Sequence, residues 1–389
     1  MRPALTRFIS TLFAVLLTSC GGSGGGGGSS GTDSPAPPPS YSYTYSMPVD
    51  AGDGWAVSDA GSEGIDATSL EAMMKFAHDS GQADYLRNIL VIRNNRLVFE
   101  EYFQTIDRNT LSHLQSATKS MVSAIFGIAV EKGAVNSVDD SLFDYFTEYQ
   151  HLNSPEKAAV TVEHVLSMTP GFDWNEITVT VTAPENDNIA AHRSNNYIEY
   201  LLQKDIVTTP GTAWNYNSGC PMLLAGIVFN QTGTHIDEYA ALYLFEPMGI
   251  QTERWEYQSD GLPLATGGLW MRARDSAKFG QLFVDGGSWN GQQLIPESWV
   301  TASWTGYSPQ DPGEEYGYMW WGRESGGFQY WFAHGYGGQI IMAIPVEEVV
   351  IVINADYSSD ANVTAQRTAN IWNLLRQYLL GSIQDNPRP

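Results

Sequence analysis

Ser116-Ala117-Thr118-Lys119, running on into Ser120-Met121-Val122-Ser123-Ala124-Ile125-Phe126-Gly127-Ile128-Ala129, is the stretch from which the rest of the chain can be read. Met121, Ala124, Ile125, Ile128 and Ala129 recur at helical spacing, and Gly133 stands where a helix would stop, so a helix is predicted over residues 120–133. Ser116 and Lys119 would then share its first turn, with about 5–6 Å between their β-carbons. A serine hydroxyl is a poor nucleophile until a neighbour takes its proton, and a desolvated lysine can be that neighbour. The first turn also offers unpaired backbone N–H groups, which favour developing negative charge. Taken alone the four residues are also compatible with an ordinary solvated helix start.

Two later segments decide between these readings. Pro210-Gly211-Thr212-Ala213-Trp214-Asn215-Tyr216-Asn217-Ser218-Gly219 sets a tyrosine in a tight loop before an apolar helix, Met222 to Phe229. Ala333-His334-Gly335-Tyr336-Gly337-Gly338-Gln339 opens a strand-like run, Ile340 to Ile344, and Val349 to Ile353 follows as a second. With the three segments in this order, the chain resembles the serine β-lactamase and penicillin-binding-protein superfamily, in its class C-like branch. The blocks Thr161 to Gly171 and Gly267 to Asp275 are similar to that branch too, and the likeness runs from about Asp66 to Leu380.

The resemblance implies roles. Ser116 would form an acyl-enzyme that water then hydrolyses, with Lys119 and Tyr216 moving the protons; which of the two is the base stays open, and they can titrate as a coupled pair. Two N–H donors should stabilise the oxyanion, that of Ser116 and that of Tyr336, with Gly337 the next candidate and Gly335 allowing close backbone approach. Ser218 replaces the asparagine of the lactamases, and its hydroxyl reaches less far than an amide. The third motif lacks the lysine that binds a substrate carboxylate, and His334 is the residue there that could hydrogen-bond instead. The chain is accordingly more similar to the esterases and the 6-aminohexanoate-dimer hydrolase-like proteins than to dedicated β-lactamases. One or two of Trp174, Trp214, Trp320, Trp321 and Tyr318 would wall an apolar pocket. The expected activity is hydrolysis of small esters or amides. A D-amino-acid peptidase or weak β-lactamase is the alternative within enzymes, and a non-catalytic envelope binding protein the alternative outside them.

Composition sets the frame. Of 389 residues 43% are hydrophobic, enough for one large core. Arg2 and Arg7 precede an apolar run, Phe8 to Leu17, that ends in Leu17-Thr18-Ser19-Cys20. The run is too short to span a bilayer and reads as a signal peptide over residues 1–20. Its end resembles a bacterial lipobox, which implies lipidation at Cys20, a bilayer anchor and an outer-membrane destination. Residues 21–54, rich in Gly, Ser and Pro, read as a tether to a hydrolase domain over residues 55–385. Cys220 is the second of two cysteines, so with Cys20 lipidated no intrachain disulfide can form, and Cys220 reads as a packed apolar residue. The net charge of −23 excludes nucleic acid as a partner. No His/Cys cluster suggests a metal, and the chemistry calls for no cofactor.

For the fold, Leu70, Met73, Met74 and Ala77 mark a helical face ending at Gly81, and Asn94-Asn95 marks the turn of a hairpin spanning residues 88–103. Strands near both ends with helices between predict an α+β fold: an antiparallel sheet built from distant segments, flanked by helices, with an inserted helical subdomain. The resemblance implies the same β-lactamase-like fold.

Overall fold

The computed structural model describes residues 41–250, 253–307 and 314–386. Its centre is an eight-stranded sheet made from β1 (Ala56–Val57), β2 (Leu86–Arg93), β3 (Arg96–Tyr102), β4 (Glu314–Tyr316), β5 (Trp321–Ser325), β6 (Phe328–Gly335), β7 (Gln339–Ile344) and β8 (Val349–Ala355), in the order β1-β3-β2-β8-β7-β6-β5-β4. All neighbours are antiparallel except β1 and β3, whose parallel pairing at the edge makes the sheet mixed. The β2–β3 hairpin turns on Asn94 and Asn95, both at positive φ (51° and 58°), the conformation that a two-residue turn between twisted strands demands and that asparagine tolerates.

Side chains alternate across the sheet, and each face has its own core. Leu90, Ile92, Ala333, Ile341, Val350 and Val352 join one apolar cluster with α2 (Thr118–Glu131), α3 (Gly219–Thr232) and α4 (Ala273–Val284). Ile89, Val91, Phe332, Met342, Ile351 and Ile353 join the other, with α1 (Ala67–Asp79) and α5 (Ala361–Leu374). In α1 the four predicted apolar residues are all buried, Asp66 caps the start through the Thr68 N–H, and Gly81 is left-handed after the end. Such burial is worth roughly 1.5–3 kcal/mol for each large apolar side chain. Helix α2 is buried on every side from Thr118 to Ala129, as a central helix must be, and starts two residues earlier than its apolar spacing predicts.

Residues 41–54 are not tether. Tyr41, Tyr43 and Tyr45 pack against the α1 face of the fold, so the folded domain begins at least fourteen residues before the predicted boundary at 55. The leader, Cys20 and the tether as far as residue 40 lie outside the described residues. No helix among the described residues is long and apolar enough to cross a membrane.

Candidate active site

Ser116 lies in a short 3-10 turn, Gln115–Ala117, that leads straight into α2. Gln115 holds φ +52°, a left-handed conformation that costs a residue other than glycine on the order of 1 kcal/mol or more. Its surroundings hold it there. The Gln115 amide donates to His113 Nδ1 at 2.8 Å, while His113 Nε2 donates to the Gly267 carbonyl at 2.7 Å and the ring stacks on Trp270. Ser116 is thereby presented, partly exposed, at the mouth of the central helix.

One turn on, Lys119 is only 2% exposed. Its Nζ donates to Ser116 Oγ at 2.9 Å and to the Thr266 carbonyl at 2.6 Å. Burial lowers its pKa from the ordinary lysine value to about 8, against the opposing pull of Glu176. A lysine in this state can give up its ammonium proton near neutrality and then face the Ser116 hydroxyl with a lone pair.

Tyr216 completes the group. Its hydroxyl is within hydrogen-bonding reach of the Ser116 and Ser218 hydroxyls, and Lys119 Nζ stands 5.1 Å from its ring centroid. Burial and then Glu176 push the phenol well above its usual range. The Tyr216 loop is tied down at both ends: Asn215 Nδ2 donates to the Trp174 carbonyl at 2.7 Å, and Asn217 Oδ1 accepts from the Gly219 N–H at 2.8 Å.

Gly335 ends β6 directly against the serine turn. A Cβ there would lie 2.1 Å from the Leu114 carbonyl oxygen, so only glycine allows this approach. Tyr336 follows in a turn closed by Gly338 N–H to the Gly335 carbonyl at 3.2 Å. Gln339, buried, clamps the turn: its amide donates to the Ala355 carbonyl at 2.7 Å and its oxygen accepts from Ala355 N–H and Asn354. Gly337 and Gly338 have φ of 86° and 94°, and a Cβ at Gly337 would meet Tyr357 at 2.7 Å.

His334 does not join the site. Strand alternation turns it to the opposite face, where its ring meets Phe332 and Trp372 of α5, and burial lowers its pKa to about 4. The residue on the Ser116 side is Ala333, which carries no charge or hydrogen-bonding group. Ser218 is also placed differently from the expectation. It is buried, and its Oγ donates inward to Glu176 Oε1 at 2.8 Å. Of the five aromatic residues proposed for a wall, Trp214 and Trp321 lie beside Tyr216, at 6.1 and 6.2 Å between ring centroids, with Tyr316 closing the cluster. Trp320 is core against Phe279 and Phe283, Tyr318 packs on Tyr307 and Trp299, and Trp174 is buried.

Sequence reasoning missed Glu176, the Thr266 carbonyl and Gln339. Glu176 is a buried carboxylate beside the site, held by Trp174 Nε1–H at 2.7 Å, Ser218 N–H at 2.9 Å and the Ser218 hydroxyl. No spacing rule marks it; the indole two residues before it was the one local hint of a buried acceptor.

Residues 87–374 match the sequence profile of the Beta-lactamase family. The 6-aminohexanoate-dimer hydrolase of Paenarthrobacter ureafaciens is 26% identical over 287 residues, covering 68% of this chain and 70% of that one. In fold, the chain is similar to EstCE1, described as a hydrolase with promiscuous acyltransferase activity (TM-score 0.62, 12% identity, 78% of this chain and 98% of that one). It is likewise similar to a penicillin-binding protein from Bacillus halodurans (TM-score 0.60, 18% identity, 78% and 99%). With the profile spanning most of the chain, over the sheet, the Ser116 helix and the Tyr216 loop alike, the protein belongs to the Beta-lactamase family, a β-lactamase-fold family of hydrolases.

Proposed function

We propose that the chain is a serine hydrolase that opens small esters or amides through an acyl-Ser116 intermediate. The observation that carries this is the 2.9 Å bond between Lys119 Nζ and Ser116 Oγ, made by a lysine whose proton burial has loosened. Ser116 Oγ attacks the carbonyl carbon as its proton passes to the Lys119–Tyr216 pair. The leaving group departs with a proton from that pair, and water then repeats the sequence on the acyl-enzyme. The Ser116 and Tyr336 N–H groups are assigned to the oxyanion.

The surroundings of Tyr216 favour neutral, apolar substrates. Trp214, Tyr316 and Trp321 gather round Tyr216, and Ala333 offers no cation to a substrate carboxylate. Esters and linear amides are therefore favoured over β-lactams and carboxylate-bearing peptides. The test is hydrolysis of a short-chain p-nitrophenyl ester beside a linear amide and a cephalosporin, by wild type and Ser116→Ala. Ester or amide turnover should dominate and should fall at least 10³-fold in the variant. Turnover indifferent to Ser116 overturns the reading, and cephalosporin as the best substrate replaces it with the lactamase alternative. From the leader we further propose anchoring through lipidated Cys20 to the cell envelope, so that Cys20→Ser should move the protein out of the membrane fraction.

A further inference from the structure

We propose that Glu176 is a positioning residue for this reaction: a buried carboxylate that, through Ser218, fixes where the protons of the Lys119–Tyr216 pair reside. The inference rests on the acyl-serine reading and adds a group that the three motifs do not contain.

Among the described residues, every hydrogen bond to the Glu176 carboxylate comes from a donor. Trp174 Nε1–H and the Ser218 N–H point at Oε2, at 2.7 and 2.9 Å, and the Ser218 hydroxyl points at Oε1, at 2.8 Å. Burial raises the pKa of this carboxyl, and the two N–H groups at Oε2, the Ser218 hydroxyl and the nearby Lys119 ammonium all work against that rise and favour the anion. The carboxylate is also fixed from behind. Asn186 Nδ2 donates to the Glu176 carbonyl at 3.0 Å, and the loop carrying it is closed by Asn175 N–H to Asp187 Oδ2 at 2.7 Å.

Ser218 has a single hydroxyl proton, and Glu176 takes it. With its one hydroxyl hydrogen pointed at Glu176, Ser218 withholds the donor by which it would otherwise lower the Tyr216 pKa and stabilise a phenolate. The negative charge of Glu176 also disfavours the phenolate, while it holds the Lys119 ammonium against the burial that would otherwise strip its proton at still lower pH. When the pair has lost one proton, the remaining one stays on the phenol, and Lys119 is the free amine. Ser116 then passes its proton to Lys119 Nζ as Oγ bonds to the carbonyl carbon. The leaving group keeps the electron pair of the broken bond and takes one proton back from the pair, so the proton count closes.

Among the described residues, the other titratable groups facing the pair carry no charge that could do this. From α3, Cys220 has its thiol pushed up by burial; Tyr316 of β4 and Tyr197 behind Glu176 are likewise pushed up as phenols. His192, which also faces Lys119, is pushed down by burial toward the neutral ring.

The test is the pH dependence of fluorophosphonate labelling of the full-length protein, comparing wild type, Glu176→Gln, Glu176→Asp and Ser116→Ala. Wild type should label at Ser116 with an acid limb near pH 8. Glu176→Gln keeps the shape and loses the charge, so its limb should fall by about one pH unit or more. Glu176→Asp should restore most of the wild-type limb. A folded Glu176→Gln protein with an unmoved limb overturns the proposal and leaves the hydrolase reading intact. Wild type that does not label, or labelling that survives Ser116→Ala, overturns both. A purely structural role would lower the melting temperature of the variants without moving the limb.

Discussion

Lys119 works against the stability of its own fold. Its ammonium is buried in the middle of the molecule at the start of α2, and its pKa falls from 10.5 to about 8. Below about pH 8 both folded and unfolded chains bind this proton, and the folded chain bears the full cost of holding the buried charge. Between about 8 and 10.5 the unfolded chain binds the proton and the folded chain does not, so stability from this group rises with pH across that window. Lys119→Met should therefore be inactive yet more stable at pH 7. The expected gain is on the order of 1–2 kcal/mol, less than the shift alone suggests because the Thr266 carbonyl loses its donor. Urea unfolding at pH 7 and pH 10 measures it, and the advantage over wild type should shrink at the higher pH. A variant less stable than wild type at pH 7 would mean that the lysine's hydrogen bonds outweigh its desolvation.

At the scale of elements, β6 shows how one strand serves both the site and the core. Trp331 and Ala333 face the α2 side with Gly335 at the serine turn, while Tyr330, Phe332 and His334 face α5. Gly335→Ala would drive a Cβ into the Leu114 carbonyl, so either the serine turn or the Tyr336 turn must move. We expect kcat to fall by about 10²–10³-fold, the scale of losing one oxyanion donor. Gly381→Ala, in open space, should change stability by less than about 0.5 kcal/mol. Gly335→Ala with wild-type kcat would remove Tyr336 from the oxyanion assignment. This strand also shows what was legible. Ser116, Lys119 and Tyr216, which the fold brings together, stand out in the sequence because their spacing or flanking loop carries a signal, and α1 and the Asn94-Asn95 hairpin because period and turn chemistry agree. The side taken by His334 follows from parity once Gly335 is placed at the serine turn, but nothing local fixes that placement. Glu176 carried no such signal, since its main partner, Ser218, lies 42 residues away in sequence.

Across the whole molecule, the segment from Tyr41 to Val57 binds the two faces of the sheet together. Tyr41 stacks on His78 of α1, Tyr43 bonds Glu101, and the Tyr45 hydroxyl donates to the Val98 carbonyl at 3.0 Å while accepting from the Ala60 N–H at 2.8 Å. The chain then pairs as β1 along the β3 edge, covering backbone that would otherwise be open to other strands. Its alternating tyrosines are a period-two signal that the neighbouring Gly, Ser and Pro residues outweighed. On the other face Arg274 of α4 gathers it in: the guanidinium donates to Asp53, to the Val49 carbonyl and to Glu100 of β3, and the Arg274 carbonyl accepts from Trp55 Nε1. The Arg274 side chain is 2% exposed and that of Glu100 6%, so removing the guanidinium strands the Glu100 charge in a dry site with the Tyr102 hydroxyl as its remaining side-chain donor. Arg274→Met should cost about 3–5 kcal/mol, whereas the double variant Arg274→Met, Glu100→Met should recover part of that loss. Single variants that cost no more than an exposed pair, about 1 kcal/mol or less, would show that the arm is held by its tyrosines and not by this ion pair. Limited proteolysis separates the two cases, because only loss of the ion-pair anchor should open the stretch between Met47 and Trp55 while Tyr41, Tyr43 and Tyr45 remain docked.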